Sequence, residues 1–148
     1  MKSELLAFDT NVLIYAVDED SKFFAPCLHW IEEARRDPSP AFLTWNVCYE
    51  FLRVSTHPRV LRSPMSSAEA WRFIRVLLDS RGFALLHPTE RHAAVLSLTL
   101  SELPYISGNA IHDLHTAVVM RENGISRICT RDTDFYRFPF LDVIDPLQ

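Results

Sequence analysis

Five acidic residues, Asp9, Glu50, Asp113, Asp132 and Asp134, stand far apart in the chain but at places where strands are expected to end or helices to begin. Gathered by a fold, they would form a pocket of carboxylates. Such groups repel one another and lose hydration, so a cluster persists only with a cation, shared protons or a specific cationic partner. Mg²⁺ or Mn²⁺ suits it, since a hard cation takes oxygen ligands and can be held by a few carboxylates. The chemistry this opens is attack of water on a phosphodiester. The phosphate repels nucleophiles and its leaving alkoxide is unstable, and a divalent ion counters both effects while lowering the pKa of bound water. Thr10, Asn11 and Thr130 lie beside the acids and can orient them from behind.

Other chemistries lack their residues. There is no GxxxxGK[ST] phosphate loop, HExxH zinc motif or GxSxG elbow. Cys27, Cys48 and Cys129 show no CxxC spacing and read as reduced, buried apolar residues. A haloacid-dehalogenase-like phosphatase also places Asp after its first strand, but it needs a second acid two residues later, where this chain has Asn11, and a later lysine. No lysine follows Lys22, which equally weakens a phospho-accepting receiver domain. A non-catalytic acidic binding module remains an alternative, and it would show no strong Mn²⁺ site.

The elements that must position the acids alternate. Residues 5–8 read as a short buried strand running into Asp9-Thr10-Asn11, and 12–17 are apolar enough to start a helix or continue the strand. Residues 23–36 repeat apolar side chains at helical spacing until Asp37-Pro38-Ser39-Pro40 stops them. A second strand is predicted over 41–45, with Asn46 as N-cap of a helix to about Ser55 that carries Glu50. Val47, Phe51 and Val54 place Glu50 on an apolar stripe, although Arg53 at i+3 is an available ion-pair partner.

A basic connection follows, and Ser66 or Ser67 caps the next helix. Residues 83–86 read as a third strand, and Thr89 can cap a helix over about 90–100. A helix over 111–122 carries Asp113 and stops at Asn123-Gly124. Strands over 126–130 and 141–144 complete a βα pattern that argues for a mostly parallel five-stranded sheet with helices on both faces. Ligands bind such sheets at the carboxyl ends of the strands, near the reversal of strand order.

At 148 residues and 48% hydrophobic content, the chain has the size of one domain, taken as 1–148, with apolar stretches too short to span a membrane. A cytoplasmic protein is expected. The formal net charge of −4 is unevenly spread: residues 51–100 hold seven arginines against three acids, and residues 1–50 four bases against nine acids. Arg53, Arg59 and Arg62 with His57 are candidates for a phosphate-tracking rim, or simply a solvated loop. His112 and His115 read as helix-packing or surface residues. Trp30, Trp45 and Trp71 read as core or dimer surface, with base stacking open to them.

The segments Phe8-Asp9-Thr10-Asn11-Val12-Leu13-Ile14-Tyr15, Val47-Cys48-Tyr49-Glu50-Phe51, Ile111-His112-Asp113-Leu114-His115-Thr116-Ala117 and Thr130-Arg131-Asp132-Thr133-Asp134-Phe135-Tyr136-Arg137-Phe138, with Asp145-Pro146 near the end, occur in an order and spacing that resembles the PIN-domain ribonucleases. In particular the chain is similar to the VapC-like toxins of toxin–antitoxin pairs. The resemblance implies a three-layer α/β/α sandwich and an endoribonuclease dependent on Mg²⁺ or Mn²⁺. It also implies homodimerisation and a VapB-like antitoxin whose tail occupies the groove. By the same resemblance Asp9 and Asp113 are the principal metal ligands, with Glu50 and the 132–134 segment completing the pocket. Asp132 is favoured for the pocket because it follows the strand more closely, while Asp134 could exchange roles with it or cap the next turn.

Overall fold

Apolar residues alternate sides along five short strands, which is how a sheet buried on both faces must be written. The computed structural model describes residues 5–148. Its strands are β1 (Leu6–Phe8), β2 (Ala41–Thr44), β3 (Phe83–Leu86), β4 (Arg127–Cys129) and β5 (Asp142–Ile144). All neighbours pair in parallel, in the order β3-β2-β1-β4-β5. Successive side chains of a strand point to opposite faces. Leu6, Phe8, Ala41, Leu43, Phe83 and Cys129 accordingly enter one core, while Ala7, Leu86 and Ile128 enter the other.

The first core is roofed by α1 (Thr10–Tyr15), α2 (Phe24–Arg36), α3 (Trp45–Ser55) and α4 (Ser67–Leu78). The second is closed by α5 (His92–Glu102), α6 (Ala110–Glu122) and a 3-10 turn over Thr133–Arg137, giving the three layers expected. Phe8 and Phe51 on one side and Phe135 and Phe138 on the other are fully buried. Each such ring contributes about 1.5–3 kcal/mol of burial. Helix α6 is buried almost continuously from Leu114 to Met120, which anchors the helix whose first turn carries the half-buried Asp113. No described helix is long and apolar enough to cross a membrane.

Local chemistry decides the element ends. Ser66 makes a reciprocal capping box with Glu69 at the start of α4, and Gly124 ends α6 at φ 72°. Two expected caps are corrected. Thr44, not Asn46, caps α3 by accepting from Val47 N, so Trp45 belongs to the helix instead of the strand. Thr89 does not cap α5, which begins at His92: its hydroxyl donates to the Glu122 carboxylate and accepts from Arg91 N, in the turn that leads into the helix.

The strand order fixes where a ligand crevice lies. The chain proceeds outward through β1, β2 and β3, then returns to place β4 on the other side of β1. The reversal lies between β1 and β4, and the residues just after these strands face the crevice.

Candidate active site

Asp9 follows β1 directly and is almost buried, at 8% exposure. Its backbone N–H extends the ladder to Cys129 O, and its carboxylate serves as N-cap of α1. Oδ1 accepts from Thr10 N at 2.8 Å, while Oδ2 accepts from Asn11 Nδ2 at 3.0 Å and from the Thr130 hydroxyl at 2.8 Å. Burial pushes the carboxyl above its usual range, and Asp132 and Glu50 add to that. The bonds from Thr130 and Thr10 resist it.

Asn11 and Thr130 do orient the site. Asn11 also donates to Thr130 Oγ1 at 2.9 Å and accepts from Arg131 N at 3.0 Å. Thr130 Oγ1 accepts as well from Asp132 N, at 2.9 Å. With one donated and two accepted bonds, the hydroxyl is saturated. Thr10 acts through its backbone N–H, and its side chain lines the pocket.

Asp113 stands in the first turn of α6, and Asp132 and Asp134 bracket the start of the 3-10 turn. Ligand atoms of these three acids lie within 4.8 Å of one another. Asp113 is pushed up to about 7, chiefly by burial and then by Asp9, Asp132 and Asp134, with Arg137 opposing. The cap of the turn is Asp132, whose Oδ1 accepts from Asp134 N at 2.9 Å, so the alternative of Asp134 as cap is corrected. Asp134 keeps its place in the pocket and sits 3.6 Å from Arg137.

Glu50 projects from α3 into the same pocket but is not sunk in the apolar stripe. Its side chain is 44% exposed and is gripped by Arg53 through Nε at 3.0 Å and Nη2 at 2.5 Å, which lowers its pKa. Arg53 lines the pocket with it, whereas Arg59 and Arg62 lie exposed on the α3–α4 connection outside the pocket wall.

The pocket measures about 800 Å³ and opens to solvent. Its wall also holds Asn46, Asn109, His112 and Thr116, which sequence reasoning did not assign to it. Asn46 donates to Thr116 Oγ1 at 2.6 Å, and its Oδ1 is buried without a partner among the described residues. The available signal was its position one turn before Glu50 on the same helix. All three cysteines are buried and free, with burial holding Cys27 at about 11 and Cys48 at about 12, so they supply no nucleophile.

This donor set fits a hard divalent cation. Three carboxylates converge, a fourth is fixed behind them, and Arg137 is the cation that opposes them at Asp113. Like charges so arranged require a cation or a retained proton. Asp9 borders the same space, its Oδ1 accepting a single hydrogen bond and so keeping a lone pair for a cation.

Comparisons with known proteins agree with this architecture. The PIN domain family model matches residues 6–141. Ribonuclease VapC43 of Mycobacterium tuberculosis is 33% identical over 144 residues, covering 97% of both chains. Ribonuclease VapC48 of the same species is 28% identical over 150 residues, covering 95% of this chain and 97% of its own. Among solved structures, M. tuberculosis VapC20, described as a sarcin–ricin loop cleaving toxin, superposes with a TM-score of 0.67 at 19% identity, covering 95% of this chain and 99% of its own. VapBC2 from Rickettsia felis, bound to a promoter DNA fragment, gives 0.66 at 15%, covering 95% and 97%. With the parallel sheet and the acids at its carboxyl edge, the match over nearly the whole length establishes that the chain belongs to the PIN domain family.

Proposed function

We propose that this PIN domain protein is a metal-dependent endoribonuclease, the toxin of a VapBC-like toxin–antitoxin pair acting in the cytoplasm. The observation that carries the reading is the convergence of Asp113, Asp132 and Asp134 beside the buried Asp9. Asp9, Glu50, Asp113, Asp132 and Asp134 would hold Mg²⁺ or Mn²⁺. When bound, such an ion neutralises phosphate charge and lowers the pKa of water at the site.

The chain's own residues do the positioning. Thr10 N, Asn11 and Thr130 fix both oxygens of Asp9, so its charge faces the pocket at a set angle. Asp132 tethers the 3-10 turn that presents Asp134. In the metal-free site burial and the neighbouring acids push the Asp113 carboxyl up to about 7, so it shares a proton at neutral pH that a bound cation would displace. Arg53 offers a guanidinium fork at the rim, suited to a phosphate once it exchanges Glu50 for substrate.

The reading is supported by relatives named as VapC ribonucleases and by the likeness to toxins in VapBC assemblies, which also suggests a VapB-like antitoxin; the homodimer that the family resemblance implies is part of the same proposal. A haloacid-dehalogenase-like phosphatase is disfavoured by Asn11, whose amide is wholly engaged in orienting Asp9, Thr130 and Arg131. The test is cleavage of total RNA with Mg²⁺ or Mn²⁺, mapped by end sequencing, with EDTA and Asp113→Asn as controls. Cleavage that survives both controls would overturn the assignment, and the absence of both cleavage and a strong Mn²⁺ site by calorimetry would favour a binding module.

A further inference from the structure

Helix α3 has three faces with different duties. Val47, Cys48 and Phe51 enter the core, and Asn46, Glu50 and Arg53 line the acidic pocket. The third face carries Trp45 and Tyr49 into solvent, at 39% and 68% exposure, beside Trp71 of α4 at 38%. Trp45 lies nearly parallel to Trp71, with centroids 6.4 Å apart and planes at 25°, and Tyr49 tilts against Trp45 at 6.4 Å. The Arg75 guanidinium lies 6.0 Å from the Trp71 centroid. Three large rings side by side in water form a surface of the kind that monomers reserve for binding.

Charge and position select the occupant. From 45 to 81, through α3, the connection and α4, the chain holds six arginines against three acids, in a protein of net charge −4. A polyanion suits that face. A second copy docked there about a two-fold axis would set arginine against arginine. The rings also adjoin the pocket, since Trp45 and Tyr49 alternate along α3 with its wall residues Asn46 and Glu50. Flat rings beside arginines and a phosphodiester site match unpaired nucleotides, whose bases stack on aromatic side chains regardless of sequence.

We propose that Trp45, Tyr49 and Trp71 form a base-stacking shelf that holds unpaired nucleotides flanking the scissile phosphate. The proposal rests on the ribonuclease reading and specifies its substrate as single-stranded or looped RNA. The shelf supplies grip without chemistry, so its loss raises KM more than it lowers kcat.

The test measures binding of a short mixed-sequence single-stranded RNA in EDTA, where no cleavage intervenes, by fluorescence anisotropy. Trp71→Ala and Tyr49→Ala are each expected to weaken binding about ten-fold, and Trp71→Phe to restore most of it. A ribose-phosphate strand lacking bases, and the same RNA as duplex, should bind wild type and Trp71→Ala alike. Light scattering runs in parallel. Wild-type RNA affinity in both alanine variants, with native circular dichroism, overturns the shelf. So does a change of oligomeric mass with RNA binding unchanged, which would make this face a self-association surface. The two readings fail separately: if wild type cleaves RNA with Mn²⁺ while the alanine variants bind normally, only the shelf is lost. If no RNA is cleaved, the ribonuclease assignment is lost.

Discussion

The Thr130 hydroxyl donates to Asp9 Oδ2 at 2.8 Å across 121 positions of sequence, joining the end of β4 to the end of β1 inside the acidic pocket. Replacing Thr130 with Val keeps the shape and removes the bond. Stability should fall by about 2 kcal/mol, the scale for a hydrogen bond to a charged group, read as a Tm lower by about 4–8 °C. Asp9 would also lose a bond that restrains its raised pKa, so the acidic limb of the cleavage profile should move to higher pH. An unmoved limb would show that Asp9 ionisation does not govern the rate.

Asp113→Asn should lower RNA cleavage at least 100-fold while stabilising the metal-free fold, because it removes the charge that Asp9, Asp132 and Asp134 oppose. Saturating Mn²⁺ should raise the Tm of wild type and leave the variant nearly unchanged, since a ligand stabilises only the state that binds it. A variant as active as wild type, or as responsive to Mn²⁺, would remove Asp113 from the site.

The same residue sets a pH trend. Asp113 goes from 3.8 to about 7 on folding, so the native state holds a proton that the unfolded chain releases between those values. Stability of the metal-free protein should therefore decline as pH rises from about 4 to about 7, and the decline should flatten in Asp113→Asn. Urea midpoints in EDTA across that range check it.

Glu122 titrates in the opposite sense. It is buried at 1% exposure, and burial alone would raise its pKa. Bonds from Thr89 N, the Thr89 hydroxyl and His92 outweigh that and hold it below its usual 4.5. Its contribution is present above about pH 4.5 and is lost as pH falls through the depressed value. Glu122→Gln should lower the Tm at neutral pH and make acid unfolding shallower. An acid transition as steep as that of wild type would argue against it.

Glycine substitutions should separate by packing. A Cβ on Gly82 would stand 1.9 Å from Ala34 O and 2.7 Å from the Arg35 backbone, where nothing flexible can yield. Gly82→Ala should cost more than about 3 kcal/mol or prevent folding. Gly108 has open space and φ 62°, so Gly108→Ala should cost only about 1–2 kcal/mol from its left-handed backbone. Equal denaturation midpoints for the two variants would contradict this.

Much of this architecture was legible because a doubly covered parallel strand must be a short apolar run and must stop abruptly. Leu5-Leu6-Ala7-Phe8 before Asp9 is such a run, and it places Asp9 at the sheet edge as the strand over 126–130 places Asp132. Relations made only by the folded backbone were not legible. The sequence favours Asp132 for the pocket and allows Asp134 as the cap, but only the 3-10 turn makes Asp132 the cap while bringing both to Asp113. Thr44 displaced Asn46 as the cap of α3 because the strand delivers its hydroxyl to Val47 N. Glu122, in Arg121-Glu122-Asn123-Gly124, reads as a solvated helix end. Its burial depends on a loop more than thirty positions away.

The return of the chain to lay β4 beside β1 has a temporal consequence. Asp9 is made early in synthesis, but its partners Thr130 and Asp132 are made only after β2, β3 and all six α-helices. The acidic pocket therefore comes into being with the last steps of sheet assembly, through contacts of long sequence separation that form slowly. A nascent or partly opened chain holds its acids as scattered, solvated side chains, so the hazard to RNA is withheld until folding is nearly finished.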